Sequence, residues 1–467
     1  MSTRSEGSQR RAAVVIIGAA FASIAAGTTW ERTRRREVAI TPLAPAVGDD
    51  DTVVARVPPR ATDPAARDAE RLRAQIRKAP RDLDTAVRLA RLDVQAARDG
   101  ADPRFLGRAE AALAPWWSEA SAPPEVVLLR ATIRQARHEF DAALVDLDRL
   151  VRSGGDGADQ TLAPPATQAI QAQALLTRAV ILGVKARYDE GLASCARLAG
   201  LASPFVRAAC RAPLLGLTGR AAGGATELAG VLDQAAGPAE AAWGRAVLAD
   251  LARSEGDERG AEALLRSVLA LAPSDRGARA ALCDLLLDAG RADEVAALVR
   301  GHEDDDGLLL RLALAEATPG QAREGAGVSA RDGAAATVAA RFAASRERGD
   351  AVHQREESRF ALHVERDPAR ALRLAIANWD VQREPADARA LLEAALAANH
   401  PASARPALEW LNAIGTAQPR LRALAAALGA SSPRTKVDRI ETGSAGFGEG
   451  SLRPRAAGVA RAAGSAS

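Results

Sequence analysis

In the stretch GDERGAEALLRSVLALAPSD (Gly256–Asp275), apolar and polar positions alternate with the period of an amphipathic helix. A Gly and a charged turn lead into it, and Pro273 stops it. The same pattern returns in GRADEVAALV (Gly290–Val299), and Gly256 and Gly290 are 34 residues apart. Further helical pairs are predicted over Val126–Val151, Ala174–Gly200, 205–235, 242–273 and 276–302. Arg341–Leu396 reads as two more, with Gly349 at a turn and Pro368 at a stop. Phe140 and Tyr188 lie 48 residues apart, so the Gly/Asp/Pro-rich run Arg152–Ala166 reads as an insertion into a period of 34.

On a 34-residue ruler starting at Ala242, small residues fall at places eight and twenty (Ala249, Ala261), and Pro273 closes the unit. On the next ruler Cys283 and Val295 take places eight and twenty. Small side chains there let the two helices of a hairpin approach closely. In this the chain resembles the tetratricopeptide repeat. The resemblance implies an all-α, right-handed α-α superhelix, or solenoid, with a concave groove for a protein or peptide partner. In that fold helix A lines the groove through places two, five, nine and twelve, here Trp243, Ala246, Asp250 and Arg253, then Gly277, Ala280, Asp284 and Leu287. Trp243, Asp250, Arg253 and Asp284 are the candidate partner-binding residues. Trp243 has two readings, an anchor for a bound peptide or a packing residue against the preceding hairpin. "PWW" at Trp116 and Trp117 either plugs a gap between units or forms a second exposed anchor.

The segments Asp102–Trp117, Arg137–Leu150 and Ala377–Leu396 are similar to a group of exported bacterial tetratricopeptide proteins. Members are often encoded beside a nickel-permease-like membrane protein of the hydrogenase/urease accessory type. That likeness spans nearly all of 67–428 and implies the fold and export; it supplies no mechanism.

The N-terminus changes the picture. Ala12–Trp30 carries no charge and follows a basic lead, which is the layout of an export signal or a membrane anchor. Cleavage near Ala25–Gly27 and retention are both open, and RTRRR at Arg32–Arg36 opposes translocation while Arg4, Arg10 and Arg11 balance it. The expected organisation is 1–36 signal or anchor, 37–66 Pro-rich tether, 67–316 repeats, 317–333 linker, 334–430 repeats and cap, and 431–467 disordered tail. The repeat domain is expected in the periplasm, free or anchored at the inner membrane.

Composition supports helix: aromatic residues are 3% of the chain, and Ala, Leu and Arg dominate. With 62 basic against 59 acidic residues there is no basic face of the kind nucleic acid requires. Cys195 and Cys210 fall on adjacent predicted helices, where a disulfide and two free thiols are both open; Cys283 reads as a buried small residue. The histidines His138, His302, His353, His363 and His400 show no metal-ligand spacing. GHEDDDG (Gly301–Gly307) is acidic but lacks the alternation of a calcium loop, and no phosphate-binding or nucleophile motif occurs. The expectation is a non-enzymatic scaffold without cofactor. The alternative is an accessory protein for metal handling or transport in the cell envelope.

Overall fold

The computed structural model describes residues 64–100, 104–153, 163–318, 328–347 and 353–431. All of them belong to one compact unit that ends at Ser431. The first hairpins are α1 (Pro64–Lys78), α2 (Leu83–Gly100), α3 (Arg104–Ala112), the single turn α4 (Ala114–Trp117), α5 (Pro124–Ala136) and α6 (Phe140–Ser153). There follow α7 (Pro165–Val184), α8 (Tyr188–Ala196), α9 (Pro204–Gly216), α10 (Ala221–Ala229), α11 (Pro238–Ser254) and α12 (Glu258–Leu271). Next come α13 (Arg276–Asp288), α14 (Ala292–Val299), α15 (Asp306–Glu316) and α16 (Val328–Glu347). The chain closes with α17 (Gln354–His363), α18 (Pro368–Val381), α19 (Pro385–Ala397), α20 (Arg405–Ile414) and α21 (Pro419–Ser431). No strand occurs among the described residues.

One turn geometry is repeated. His138, Ala186, Gly219, Gly256 and Gly290 each sit between the helices of a hairpin at φ between 55° and 81°. The next residue's N–H then reaches back five residues: Glu139 to Arg134, Arg187 to Leu182, Arg220 to Leu215, Asp257 to Ala252, and Arg291 to Leu286, all at 2.8–2.9 Å. That left-handed cap satisfies the last carbonyls of helix A and aims the chain into helix B. Glycine takes it without strain; His138 and Ala186 do so at a small conformational cost.

The small residues at places eight and twenty do what the ruler predicts. Ala249, Ala261, Cys283 and Val295 are fully buried where paired helices meet. Gly244 is as constrained, since a Cβ there would lie 2.7 Å from Leu232 and 2.9 Å from the Phe205 ring.

An arginine recurs at one position of three hairpins. Arg130, Arg178 and Arg211 each precede the left-handed residue of their hairpin by eight positions and reach helix B sixteen residues on. Arg130 forks onto Asp146 at 2.6 and 2.8 Å, Arg178 donates to Ser194 at 2.7 Å, and Arg211 to Glu227 at 3.0 Å. The Arg130–Asp146 pair is buried and Arg130 also donates to the Trp117 carbonyl at 2.6 Å. Trp116 is buried and Arg134 lies over the Trp117 ring at 5.8 Å, so the two tryptophans close the gap before α5.

Some boundaries differ from those expected. α1 starts at Pro64, because Pro is favoured in the first helical turn. α16 begins at Val328, inside the expected linker 317–333, and pairs with α15. The apolar segment 1–36, nearly all of the tether, Gly349 and the tail beyond Ser431 lie outside the described residues. No described helix is long and apolar enough to cross a membrane.

Candidate functional site

The expected groove face is carried by the helix A members α11 and α13. Trp243, near the start of α11, is 3% exposed and meets the Phe205 ring of α9 edge-to-face at 5.6 Å. A ring wedged between consecutive hairpins cannot also grip a peptide, so the anchor reading of Trp243 is corrected to a packing role. Asp250 is exposed and Arg253 half-buried on the same helix. Asp284 is already engaged. Its two oxygens accept from Arg311 of α15 at 2.6 Å and from Arg359 of α17 at 2.9 Å. The four candidates are therefore not one surface.

At Asp284 the reason is that the chain's own C-terminal helices pack against the end of α13. Asp288, one turn beyond Asp284, takes both arms of Arg389 of α19 at 2.7 and 2.8 Å, across 101 residues of sequence. The Arg383 N–H donates to the Val184 carbonyl at 2.8 Å, and the Ala417 N–H to the Ser254 carbonyl at 2.7 Å. Trp410 donates to the Tyr188 hydroxyl at 2.6 Å. The C-terminal ends of α7, α11 and α13 thus hold the closing helices. α19 is enclosed on most of its circumference, with Asp387, Ala388, Ala394 and Ala395 fully buried.

Around α19 the charges are spent on one another. Arg355 donates to Asp387 at 3.1 Å and to Glu356 at 3.0 Å, and lies 3.5 Å from Glu384. Asn378 and Gln382 donate to the same Asp387 oxygen at 2.8 and 3.0 Å, and the Glu384 N–H to the other at 2.9 Å. Burial, then the neighbouring Asp387 charge, pushes Glu384 up to about 8 against the pull of Arg355; Asp250 adds to the rise. Burial also raises Asp387. Asp250 is reached by water but hemmed in by surrounding helices, and that loss of bulk solvent outweighs Arg253 and raises it. Burial works against the Asp284 carboxylate too, yet Arg311 and Arg359 hold it well below the usual range. Burial, followed by the Arg355 charge, pulls His138 down to about 3, so its imidazole is neutral. Arg311, Arg355, Arg359, Arg389 and Asp288 were not foreseen as a group, since no local pattern marks a contact made across a hundred residues.

No family model matches the chain. No curated protein matches it either. Solved structures do, and one is the tetratricopeptide-repeat domain of P58(IPK), at 14% identity and a TM-score of 0.21, over 79% of this chain and 94% of that one. A score that low carries no argument, and the tetratricopeptide-like description rests on the hairpins and on the 34 residues between the turns at Gly256 and Gly290.

The remaining candidates resolve simply. Cys195 of α8 and Cys210 of α9 form a disulfide, tying adjacent hairpins together. Cys283 is a buried thiol that burial pushes up to about 12. The acidic loop is used as a cap: the Asp305 carboxylate accepts from the Leu308 N–H at 2.9 Å and pairs with Arg276 at 2.6 Å, while Asp306 pairs with Arg341. His363 meets Glu393 at 3.1 Å and His400 meets Ser403 at 2.8 Å.

Proposed function

We propose that this chain is a non-enzymatic scaffold that binds a protein or peptide partner outside the cytoplasm, carried there by the apolar segment Ala12–Trp30 as a cleaved signal or an inner-membrane anchor. The observation that carries the reading is the stack of hairpins. Five of them join their helices by the same capped turn, so these repeats present corresponding faces along a continuous surface. The Cys195–Cys210 bridge supports a non-reducing compartment, because thiols in the cytosol are kept reduced. The carboxylate of Asp387 in the cluster around α19 is held by Arg355, Asn378 and Gln382, which fits a locking role better than acid–base chemistry.

The test is capture of a partner by the full chain from solubilised cell envelope, with a phosphatase fused after Ser467 to report topology. A stoichiometric protein partner together with an active fusion is the expected result. A fusion active only with a cytoplasmic reporter, or no retained protein under cross-linking, refutes it.

A further inference from the structure

With the C-terminal ends of α7, α11 and α13 occupied by the closing helices, the face of the early repeats around α8 offers the scaffold another surface. Two shallow depressions, each of about 330 Å³, flank α8. One is bordered by α6 and α7 and contains Arg152, Arg178 and Arg197; the other, over α9 and α10, contains Arg207 and Arg211. Together they hold five arginines against the carboxylates of Asp148, Glu190 and Glu227.

Not all of this charge is used. Arg178 and Arg211 hold their own hairpins through Asp148, Ser194 and Glu227, and Arg197 donates to the Val151 carbonyl at 3.2 Å. Among the described residues, the side chains of Arg152 and Arg207 are held by no hydrogen bond or ion pair. The Arg207 Nε is shielded from water without an acceptor, so the outer guanidinium nitrogens are the groups that an incoming carboxylate can meet. An apolar side chain lies on the α6 face that carries Arg152. Val145 is 68% exposed, the most open of the large hydrophobic side chains among the described residues, and is followed on that face by Asp148 and Arg152 three and seven residues later.

We propose that the two depressions beside α8 form the docking surface for an acidic, partly apolar peptide segment of the partner, with Arg152 and Arg207 receiving its carboxylates and Val145 an apolar side chain. The proposal rests on the scaffold reading above and gives it a place and a partner chemistry. A nucleic-acid strand fits less well. It would bring phosphates against Asp148, Glu190 and Glu227 and would leave Val145 in water.

The test uses the full chain and three fluorescein-labelled probes: a 12-residue peptide alternating Glu and Leu, its Lys/Leu counterpart, and a 12-nucleotide oligothymidylate. The Glu/Leu peptide is expected to bind, with affinity falling as salt rises. Arg152→Glu with Arg207→Glu should weaken it at least tenfold, and so should Val145→Asp, which alters an exposed position and leaves the circular dichroism spectrum unchanged. Absence of Glu/Leu binding overturns the proposal, as does equal or better binding of either other probe, or retained affinity in both variants. Partner capture separates this from the scaffold reading. A partner held equally by wild type and variants leaves the scaffold standing and removes this surface; capture of nothing by wild type removes the scaffold.

Discussion

Truncating Trp243 to Ala tests how consecutive hairpins are joined. The indole is 3% exposed and packs edge-to-face on Phe205, whose ring also rests against Gly244. Removing a buried aromatic from a site that cannot collapse costs about 3–5 kcal/mol. Collapse is resisted here because Gly244 and Leu232 fix the spacing of the α9–α10 and α11–α12 hairpins. The edge-to-face pair accounts for about 1 kcal/mol beyond the area lost. In a stack held by nearest-neighbour contacts the loss falls on one joint. Urea unfolding followed by circular dichroism should show about 4 kcal/mol of destabilisation, and hydrogen exchange should speed up in α9–α12 before it does in α1–α3. Trp243→Phe, which keeps an aromatic face, should recover more than half. A loss under about 1 kcal/mol with an unchanged denaturant slope would refute the packing role.

Three further outcomes are expected. Denatured, unreduced protein isolated from the envelope should titrate with one thiol, from Cys283, and Cys210→Ser should cost about 3 kcal/mol for opening a loop of 15 residues; three thiols would place the chain in a reducing compartment. Asp146 also accepts from Arg134 at 2.7 Å, so Arg130→Ala should cost about 1–3 kcal/mol rather than the full loss of a sole partner; a double-mutant cycle with Asp146→Ala should show a coupling above about 0.5 kcal/mol, and strict additivity would show that the pair is not acting as one. Glu384 titrates near 8 when folded against an ordinary 4.5, so the stability it contributes is complete below about pH 4.5 and is lost as the pH climbs through 8. Glu384→Gln should therefore flatten the alkaline fall in unfolding free energy between pH 6 and 9, and identical slopes for the two proteins would count against the assignment.

What the sequence determined by itself was local. The 34-residue spacing of Gly256 and Gly290, the small residues Ala249, Ala261 and Cys283, and the stop at Pro273 all act within one hairpin, where helix propensity and turn geometry are set by neighbours a few residues away. Arg130 and Arg178 hold corresponding places in their hairpins, but the partner that each meets needed the hairpin to be built. The burial of Trp243 and the fate of Asp284 were decided only by tertiary structure. Places on a helix A face look alike in sequence whether they meet solvent, a partner or the chain itself. Arg359 lies 75 residues and Arg389 101 residues from the aspartates they hold, and no periodicity encodes how far a superhelix curls before its end meets its middle. That curl is the sum of many small packing angles between hairpins, so it belongs to the whole stack and to no single segment of it.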